Sequence, residues 1–330
     1  MEKIISDWRK KVFKPIYWLE GEEDYFIDKA IGYAEHNILS DSESSFNLSI
    51  FYGKDANWAE VITACRRYPM FAERQVVVLK EAQQMKDVEK LEPYIENPLL
   101  STVFIVSYKE KKLDARKKFA KLVKEKGVLI STKKMYDREV PGWTQELIQS
   151  KGLSITAKAL ALVVDHIGND LTRIENEIEK LSLNLGQRKT ITEEDIEEYI
   201  GVSKDYNVFE LQSALAGKDL SKCIQIIQYF ESNPKAGPIQ LILPSLYNFF
   251  SKVFMVFGAG TMDEKTVATA IGVNPYFIRD YVQAAKLYTY PGVEKSLLLL
   301  HNYNLKSIGV GSMNTDDASL MKELVIKMIS

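Results

Sequence analysis

An alternation of strand and helix patterns fills the first 135 residues and then stops, and this feature most constrains the fold. Short β-branched or aromatic runs predict strands at residues 16–19, 46–51, 75–79, 102–106 and 128–131. Amphipathic runs between them predict helices at residues 24–39, 58–67, 87–96 and 115–126. Alternation at this spacing indicates a mostly parallel sheet that is covered by helices on both faces. The first part of the chain is therefore expected to be an α/β domain.

After residue 136 the strand patterns disappear and only helical patterns remain. Helices are predicted at residues 140–151, 156–167 and 170–185, and Thr192-Glu-Glu-Asp195 is typical of a capping box that starts a fourth. Long amphipathic helices follow from Asn207. The predicted fold class is multidomain, α/β plus all-α, with an α/β domain at residues 1–136, a small helical domain at 137–203 and a larger helical domain at 204–330.

The composition is that of a water-soluble globular protein, since 46% of the 330 residues are hydrophobic and 27% are charged. No apolar run approaches the ~20 residues that a membrane span needs, and the first residues lack an apolar signal segment. The sequence therefore predicts no membrane contact and a cytoplasmic location. Cys65 and Cys223 lie far apart in helical patterns, so we expect both to be core residues in a reducing compartment.

A stripe of apolar residues marks one of the later helices. Its members recur at spacings of three and four residues: Phe249, Phe250, Val253, Phe254 and Phe257. Such a stripe is typical of core or helix-helix packing. We expect that role here, with part of the stripe left for a subunit contact.

The turn after the first strand is where a phosphate would bind in a nucleotide-binding α/β domain. A P-loop needs several glycines, a lysine, and a serine or threonine that binds magnesium. Residues 19–29 instead contain one glycine, Gly21, and the three consecutive acids Glu22, Glu23 and Asp24. These carboxylates would repel phosphate, so ATP hydrolysis and a nucleotide cofactor are not expected.

No other pattern indicates catalysis or a metal site. The three histidines, His36, His166 and His301, have no partners at the spacing of a metal site or a catalytic triad. No serine, cysteine or carboxylate pair lies in a setting that would activate it. We therefore predict no catalytic residues, no metal and no cofactor.

Tyr68-Pro69-Met70-Phe71 interrupts the chain between a predicted helix and the strand at residues 75–79. Pro69 disfavours helix at the residue before it, so the helix should end there and leave Met70 and Phe71 on a connection near an edge of the sheet. Two interpretations remain open. The pair either belongs to the core, or it inserts into a pocket of a partner protein, since Met and aromatic residues are enriched in interface cores.

Residues 109–126 carry nine basic and three acidic side chains, although the whole chain has a net charge of -2. A run of this kind is usually the solvated face of a helix. Contact with phosphate groups is the alternative, because the local excess of positive charge is large.

Over essentially its full length the sequence resembles the delta subunit of the bacterial DNA polymerase III clamp loader. The resemblance rests on four segments: residues 15–26 (PIYWLEGEEDYF), 70–78 (MFAERQVVV), 168–181 (GNDLTRIENEIEKL) and 207–217 (NVFELQSALAG). The first is similar to that family's opening strand and degenerate nucleotide loop, and the second to its clamp-binding element. The third resembles a distinctive run of its second domain, and the fourth the entry to its collar domain.

The resemblance implies an AAA+-like α/β domain without a P-loop, a helical lid at residues 137–203 and a collar at 204–330 that joins a pentameric loader. It implies that Met70 and Phe71 bind the sliding clamp, the beta clamp. The family often has Leu-Phe at these positions, and a methionine can fill a leucine-shaped pocket at modest cost. The implied partners are the clamp, the ATPase clamp-loader subunits, the delta-prime subunit and, mainly within the assembled complex, DNA.

Two other functions remain open at this stage. One is a diverged AAA+ ATPase of the helicase-loader type, which measurable ATP affinity and turnover by the isolated chain would favour. The other is a helical scaffold that makes no contact with a clamp.

Overall fold

The computed structural model describes residues 1–203, 205–311 and 316–330. The chain divides into two compact units, residues 1–139 and residues 140–330. The end of the first unit lies close to the boundary predicted at residue 136. The boundary predicted between residues 203 and 204 falls inside the second unit, and Lys204 lies outside the described residues. The division into three domains therefore stays a prediction.

A five-stranded sheet organises the first unit. Its strands are β1 (Ile16–Gly21), β2 (Leu48–Tyr52), β3 (Gln75–Lys80), β4 (Thr102–Lys109) and β5 (Val128–Thr132). All neighbouring strands are parallel, in the order β2-β3-β4-β1-β5. The three inner strands are rich in buried Val, Ile, Leu and aromatic side chains, as strands covered on both faces require. The edges of the sheet are β2 and β5.

Helices cover both faces of this sheet. They are α1 (Glu2–Arg9), α2 (Asp24–Asn37), α3 (Asp41–Asn47), α4 (Trp58–Cys65), α5 (Glu92–Glu96) and α6 (Lys118–Lys126), with short 3-10 turns at Ala82–Gln84 and Val88–Leu91. One core lies under α1 and α2 and includes Leu19 and Ile105. The other core lies under α4, α5 and α6 and includes Trp18 and Phe104. The predicted α/β arrangement is confirmed.

Three details of the first unit differ from the sequence prediction. Phe46 and Asn47 belong to α3 rather than to a strand, because a capping box between Ser40 and Glu43 starts a helix that runs to Asn47. The helix predicted at 87–96 is divided into a 3-10 turn at Val88–Leu91 and the short helix α5 at Glu92–Glu96. The basic helix begins at Lys118, since the Asp114 side chain accepts a hydrogen bond from the Arg116 backbone N–H and holds a turn there.

The second unit is built mainly of helices. They are α7 (Val140–Ser150), α8 (Ala157–Ile167), α9 (Leu171–Asn184), α10 (Glu193–Ile200), α11 (Val208–Ala216), α12 (Leu220–Ser232), α13 (Ile239–Gly258), α14 (Glu264–Ile271), α15 (Ile278–Ser307) and α16 (Asp317–Ile329). Two very short strands, β6 (Ser154–Ile155) and β7 (Thr190–Ile191), pair in parallel. The prediction of no strand after residue 136 was therefore wrong, because two-residue strands leave no readable period.

Helix α13 lies in the core of the second unit. It is long and apolar enough to cross a membrane by length and composition alone. Eight of its side chains, including Phe249, Phe250 and Val253, are buried in the core that α13 shares with α15, and this packing accounts for its apolar character. Phe254 and Phe257 pack at the margin of the same core. The prediction that the stripe packs against other helices is confirmed.

Both cysteines are buried and free, Cys65 in the first unit and Cys223 in the second. Burial raises the pKa of the Cys223 thiol to about 12, which keeps the thiol protonated at neutral pH. The prediction that both are core residues is confirmed.

Candidate functional site

The candidate site is the loop of residues 66–74, which connects α4 to β3 at the amino end of the sheet. Helix α4 ends at Cys65, four residues before Pro69. The buried side chain of Gln75 closes this end of the helix: its amide nitrogen donates to the backbone oxygen of Ala64, at 3.0 Å, and to that of Arg67. The Ala64 oxygen also accepts a hydrogen bond from the Arg67 backbone N–H at 3.2 Å, so these bonds together hold the turn that follows the helix. The base of the loop is therefore fixed.

The apolar side chains of the loop face water. Phe71 is 93% exposed, Tyr68 is 76% exposed and Met70 is 54% exposed. Large side chains of this kind are normally buried, because water contact forgoes about 1.5–3 kcal/mol for each of them. The interpretation of Met70 and Phe71 as core residues is therefore wrong.

The backbone of Phe71 has an uncommon conformation. Its φ angle is +53°, in the left-handed region that large side chains rarely adopt. Such a conformation costs about 1–3 kcal/mol and persists only where the surroundings hold it. A strained aromatic residue that points into water supports a hypothesis of function at this position.

Asn47 holds the loop from the edge of the sheet. It is the last residue of α3, directly before the edge strand β2, and it is only 3% exposed. Its Oδ1 accepts a hydrogen bond from the backbone N–H of Met70 at 2.6 Å, and its Nδ2 donates to the backbone oxygen of Met70 at 2.9 Å. Both backbone polar groups of Met70 are thus paired with one side chain. The predicted position of Met70 and Phe71 near a sheet edge agrees with this contact.

Charged residues surround the apolar tip. The guanidinium of Arg74 lies 4.3 Å from the ring centroid of Phe13 and 3.3 Å from a carboxylate oxygen of Glu73. Arg67 donates a hydrogen bond to the hydroxyl of Ser49 in β2 at 3.1 Å. The loop therefore combines an apolar tip with polar groups around its base, the arrangement that protein interfaces commonly have.

The turn after β1 is filled by carboxylates of the chain itself. Glu23 caps the N-terminus of α2, where its side chain accepts a hydrogen bond from the Tyr25 backbone N–H at 3.4 Å. Gly21, at φ +127°, lies so close to β5 that an added Cβ would stand 2.2 Å from the backbone oxygen of Thr132. Partial burial raises the pKa of Asp24 next to this cap. The position at which a phosphate would meet the helix N-terminus is therefore already occupied by an anion.

The basic run at residues 109–126 is largely neutralised by neighbouring acids. Six of its nine basic side chains form ion pairs: Lys109 with Asp28, Lys112 with Glu22, Arg116 with Asp114, Lys117 with Glu89, Lys118 with Glu92, and Lys126 with Glu125. The hydrogen bond to Glu92 raises the pKa of Lys118, since it favours the charged form. The interpretation as a solvated face agrees with these pairs.

The three histidines belong to different helices, His36 to α2, His166 to α8 and His301 to α15. His36 lies on the surface with Nδ1 2.9 Å from the backbone oxygen of Gly32, and burial lowers the pKa of His166. Within residues 1–203, 205–311 and 316–330, no group of three His, Cys, Asp or Glu side chains is arranged to hold a metal ion.

Sequence reasoning located Met70 and Phe71 but missed the two residues that hold their loop. Gln75 begins the buried strand β3, as predicted, and a polar residue at the start of an apolar run also signals a buried hydrogen-bond network. The apolar pattern predicts a strand at Asn47, whereas the capping-box spacing from Ser40 to Glu43 indicates a helix. The signal for Gln75 is therefore its residue type, and the signal for Asn47 is the spacing of the capping box.

Comparison with known proteins agrees with the resemblance found in the sequence. Residues 17–133 match the family described as DNA polymerase III, delta subunit. The chain is 25% identical over 294 residues to DNA polymerase III subunit delta of Bacillus subtilis, which covers 85% of this chain and 84% of that protein. It is 24% identical over 246 residues to the probable DNA polymerase III subunit delta of Aquifex aeolicus, over 69% of this chain and 68% of that protein.

The fold is also similar to a solved structure. The Bacillus subtilis DNA clamp loader delta protein superposes with a TM-score of 0.54 and 22% identity, covering 100% of this chain and 99% of that one. At this identity the likeness concerns the fold. It confirms the predicted combination of a parallel α/β domain with a helical region.

Proposed function

From its relationship to the DNA polymerase III delta subunits, we propose that this chain is the clamp-loader subunit that binds the sliding clamp. In this role it helps to open the clamp ring for loading onto primed DNA during replication. The observation that carries the proposal is the loop of residues 66–74, which holds Phe71 and Met70 in water on a fixed base.

Met70 and Phe71 are the residues that we propose to contact the clamp. A small, projecting apolar pair is suited to a concave apolar pocket, because both side chains can be desolvated there without moving the loop. The polar base of the loop would then form the rim of the contact. The flexible thioether of Met70 suits a pocket that leucine fills in related proteins.

We propose that the chain has no ATP site of its own and is not an enzyme. The support is the turn after β1, where Glu23 caps α2 and Gly21 packs against Thr132, so that a phosphate would meet both negative charge and a closed backbone. ATPase subunits of the loader would supply the nucleotide chemistry.

Assembly with those subunits and with delta-prime is assigned to the predicted collar, residues 204–330. The support is a set of exposed apolar side chains in that region, including Leu241, Tyr247, Met255, Leu287 and Leu298. Exposed apolar groups in such number are typical of a surface that a partner covers. Contact with DNA is proposed mainly for the assembled complex, and the location is proposed to be the cytoplasm, where replication proteins act.

A binding experiment tests these proposals together. The full chain is mixed with its cognate sliding clamp, without nucleotide and then with saturating ATP. We expect a stable complex with the clamp, and we expect that ATP neither changes its affinity nor is hydrolysed.

A chain that ends before Asn207 should still bind the clamp but should no longer bind the ATPase subunits. Absence of clamp binding, or ATP turnover by the isolated chain, would contradict the proposal; full assembly by the truncated chain would contradict the role of the collar.

A further inference from the structure

The side chain of Asn47 is satisfied by a specific set of partners. Besides the two bonds to the backbone of Met70, its Nδ2 donates to the backbone oxygen of Glu43 at 3.0 Å. Both amide hydrogens and the carbonyl oxygen of the Asn47 side chain therefore form hydrogen bonds, and the residue is only 3% exposed. The link joins residues that are 23 positions apart in sequence. No turn or helix would bring them together by itself.

We propose that Asn47 is a positioning residue, which holds Met70 and Phe71 in the conformation that binds the clamp. This inference rests on the proposed function of that pair. It assigns a role to an amide that is only 3% exposed and therefore presents almost no surface to a partner. Asn47 acts on the interface through the backbone of Met70.

The mechanism follows from the backbone of the loop. The two bonds from Asn47 fix the peptide groups on both sides of Met70, and the next residue, Phe71, has the uncommon φ of +53°. Without that anchor, Phe71 would relax into the commoner conformations with negative φ, and its ring would leave the binding position. Affinity falls in proportion to the fraction of molecules that keep the binding conformation.

The role requires an amide. An ionised aspartate keeps the acceptor for the Met70 N–H but has no donor for the backbone oxygens of Met70 and Glu43. Leucine has a similar size and makes none of the three bonds. Only an amide side chain has both the donors and the acceptor at this length.

The first test compares clamp affinity of the full chain with that of Asn47→Ala. We expect affinity to fall about tenfold, which corresponds to about 1.4 kcal/mol. The matched control is Asn37→Ala in the same unit, which removes an exposed amide that donates to the Tyr33 backbone oxygen at 3.2 Å and should leave affinity unchanged. Equal affinity of Asn47→Ala and the parent chain would overturn the proposal.

A double-mutant cycle separates positioning from general support of the fold. In a background that carries both Met70→Ala and Phe71→Ala, Asn47→Ala should cost less than about twofold in affinity, because both side chains that it positions are already gone. A purely structural role predicts the same tenfold cost in both backgrounds, and that result would contradict the proposal.

Hydrogen exchange is measured on the unaltered chain, so this test does not require a variant to fold. The backbone N–H of Met70 should exchange at least about tenfold more slowly than an unprotected amide, although this residue is more than half exposed. Exchange at the unprotected rate would overturn the inference. If Phe71→Ala itself left clamp affinity intact, the proposed function would fail instead, and slow exchange at Met70 would still report the anchor.

Discussion

Two apolar pairs in this chain, Met70-Phe71 and Phe249-Phe250, have opposite environments. Phe71 is 93% exposed, whereas Phe249 and Phe250 are 2% and 0% exposed. The rings of Phe249 and Phe250 lie 5.3 Å apart at 84°, and Phe250 also contacts the ring of Tyr288 at 5.2 Å. The composition of the two pairs does not explain the difference.

The backbone explains it. Phe249 and Phe250 lie within α13, where a period of 3.6 residues aligns them with Leu246 and Val253 on a face that packs against α15. Met70 and Phe71 follow Pro69 in a loop, and Phe71 has a positive φ. An apolar pair on a periodic helix therefore belongs to the core, whereas the same kind of pair on an anchored loop is available to a partner.

The largest effect is expected when the exposed pair is removed. Changing both Met70 and Phe71 to Ala should cost about 3–6 kcal/mol of clamp binding, because each side chain loses ~1.5–3 kcal/mol of burial at the interface. The corresponding loss of affinity is roughly a hundredfold to ten-thousandfold. The melting temperature should not change, since neither side chain supports the core.

The control for that variant is Leu183→Ala, which removes an exposed leucine from α9 in the other unit. We expect clamp affinity and melting temperature to stay at the parent values. A double variant that melts well below the parent, or that binds the clamp normally, would remove the contrast between the two pairs.

The reciprocal change is Phe250→Ala in the buried pair. It should lower the free energy of unfolding by about 3–5 kcal/mol, because it leaves a cavity in the core. For a unit of this size the thermal midpoint should fall by about 6–20 °C. Clamp affinity, measured below the transition, should stay within about twofold of the parent. Thermal melting and clamp titration of Phe250→Ala beside Phe71→Ala would therefore give opposite patterns, and matching patterns would refute the distinction.

The smallest effect concerns another exposed part of the first unit, the basic run at residues 109–126. Its ion pairs leave little free positive charge, and exposed pairs of this kind hold little energy. The isolated chain should bind DNA weakly, with Kd on the order of 10⁻⁴ M or above, and should lose binding as salt rises. Tight DNA binding that persists at high salt would show that charge as well as apolar surface makes an interface in this unit.

Much of the fold could be predicted because its signals are local. Three consecutive valines indicate the strand at Gln75–Lys80. The periodic apolar residues that follow an acidic cap indicate α2. The prediction fails where the local signal is short, as in β6 and β7, or where a capped helix runs directly into a strand, as α3 does into β2.

The candidate site was only partly predictable for a different reason. Pro69 indicates where the helix ends, and the sequence therefore predicts that Met70 and Phe71 lie on a connection. The backbone of Met70 is bonded to Asn47, which is 23 residues away in the sequence. A pattern within the loop contains no information on that long-range contact.

The carboxylate of Glu23 at the start of α2 also affects how a loader could be timed. Many switch proteins change their affinity for a partner when a γ-phosphate is lost, because contacts to the phosphate hold a loop in place. Here the helix terminus carries a permanent, covalently attached substitute for that anion, one which is never hydrolysed or exchanged. If the chain binds a clamp and has no ATP site, as we propose, its first unit cannot time the release of the clamp by hydrolysis, and the signal for release must come from a neighbouring subunit.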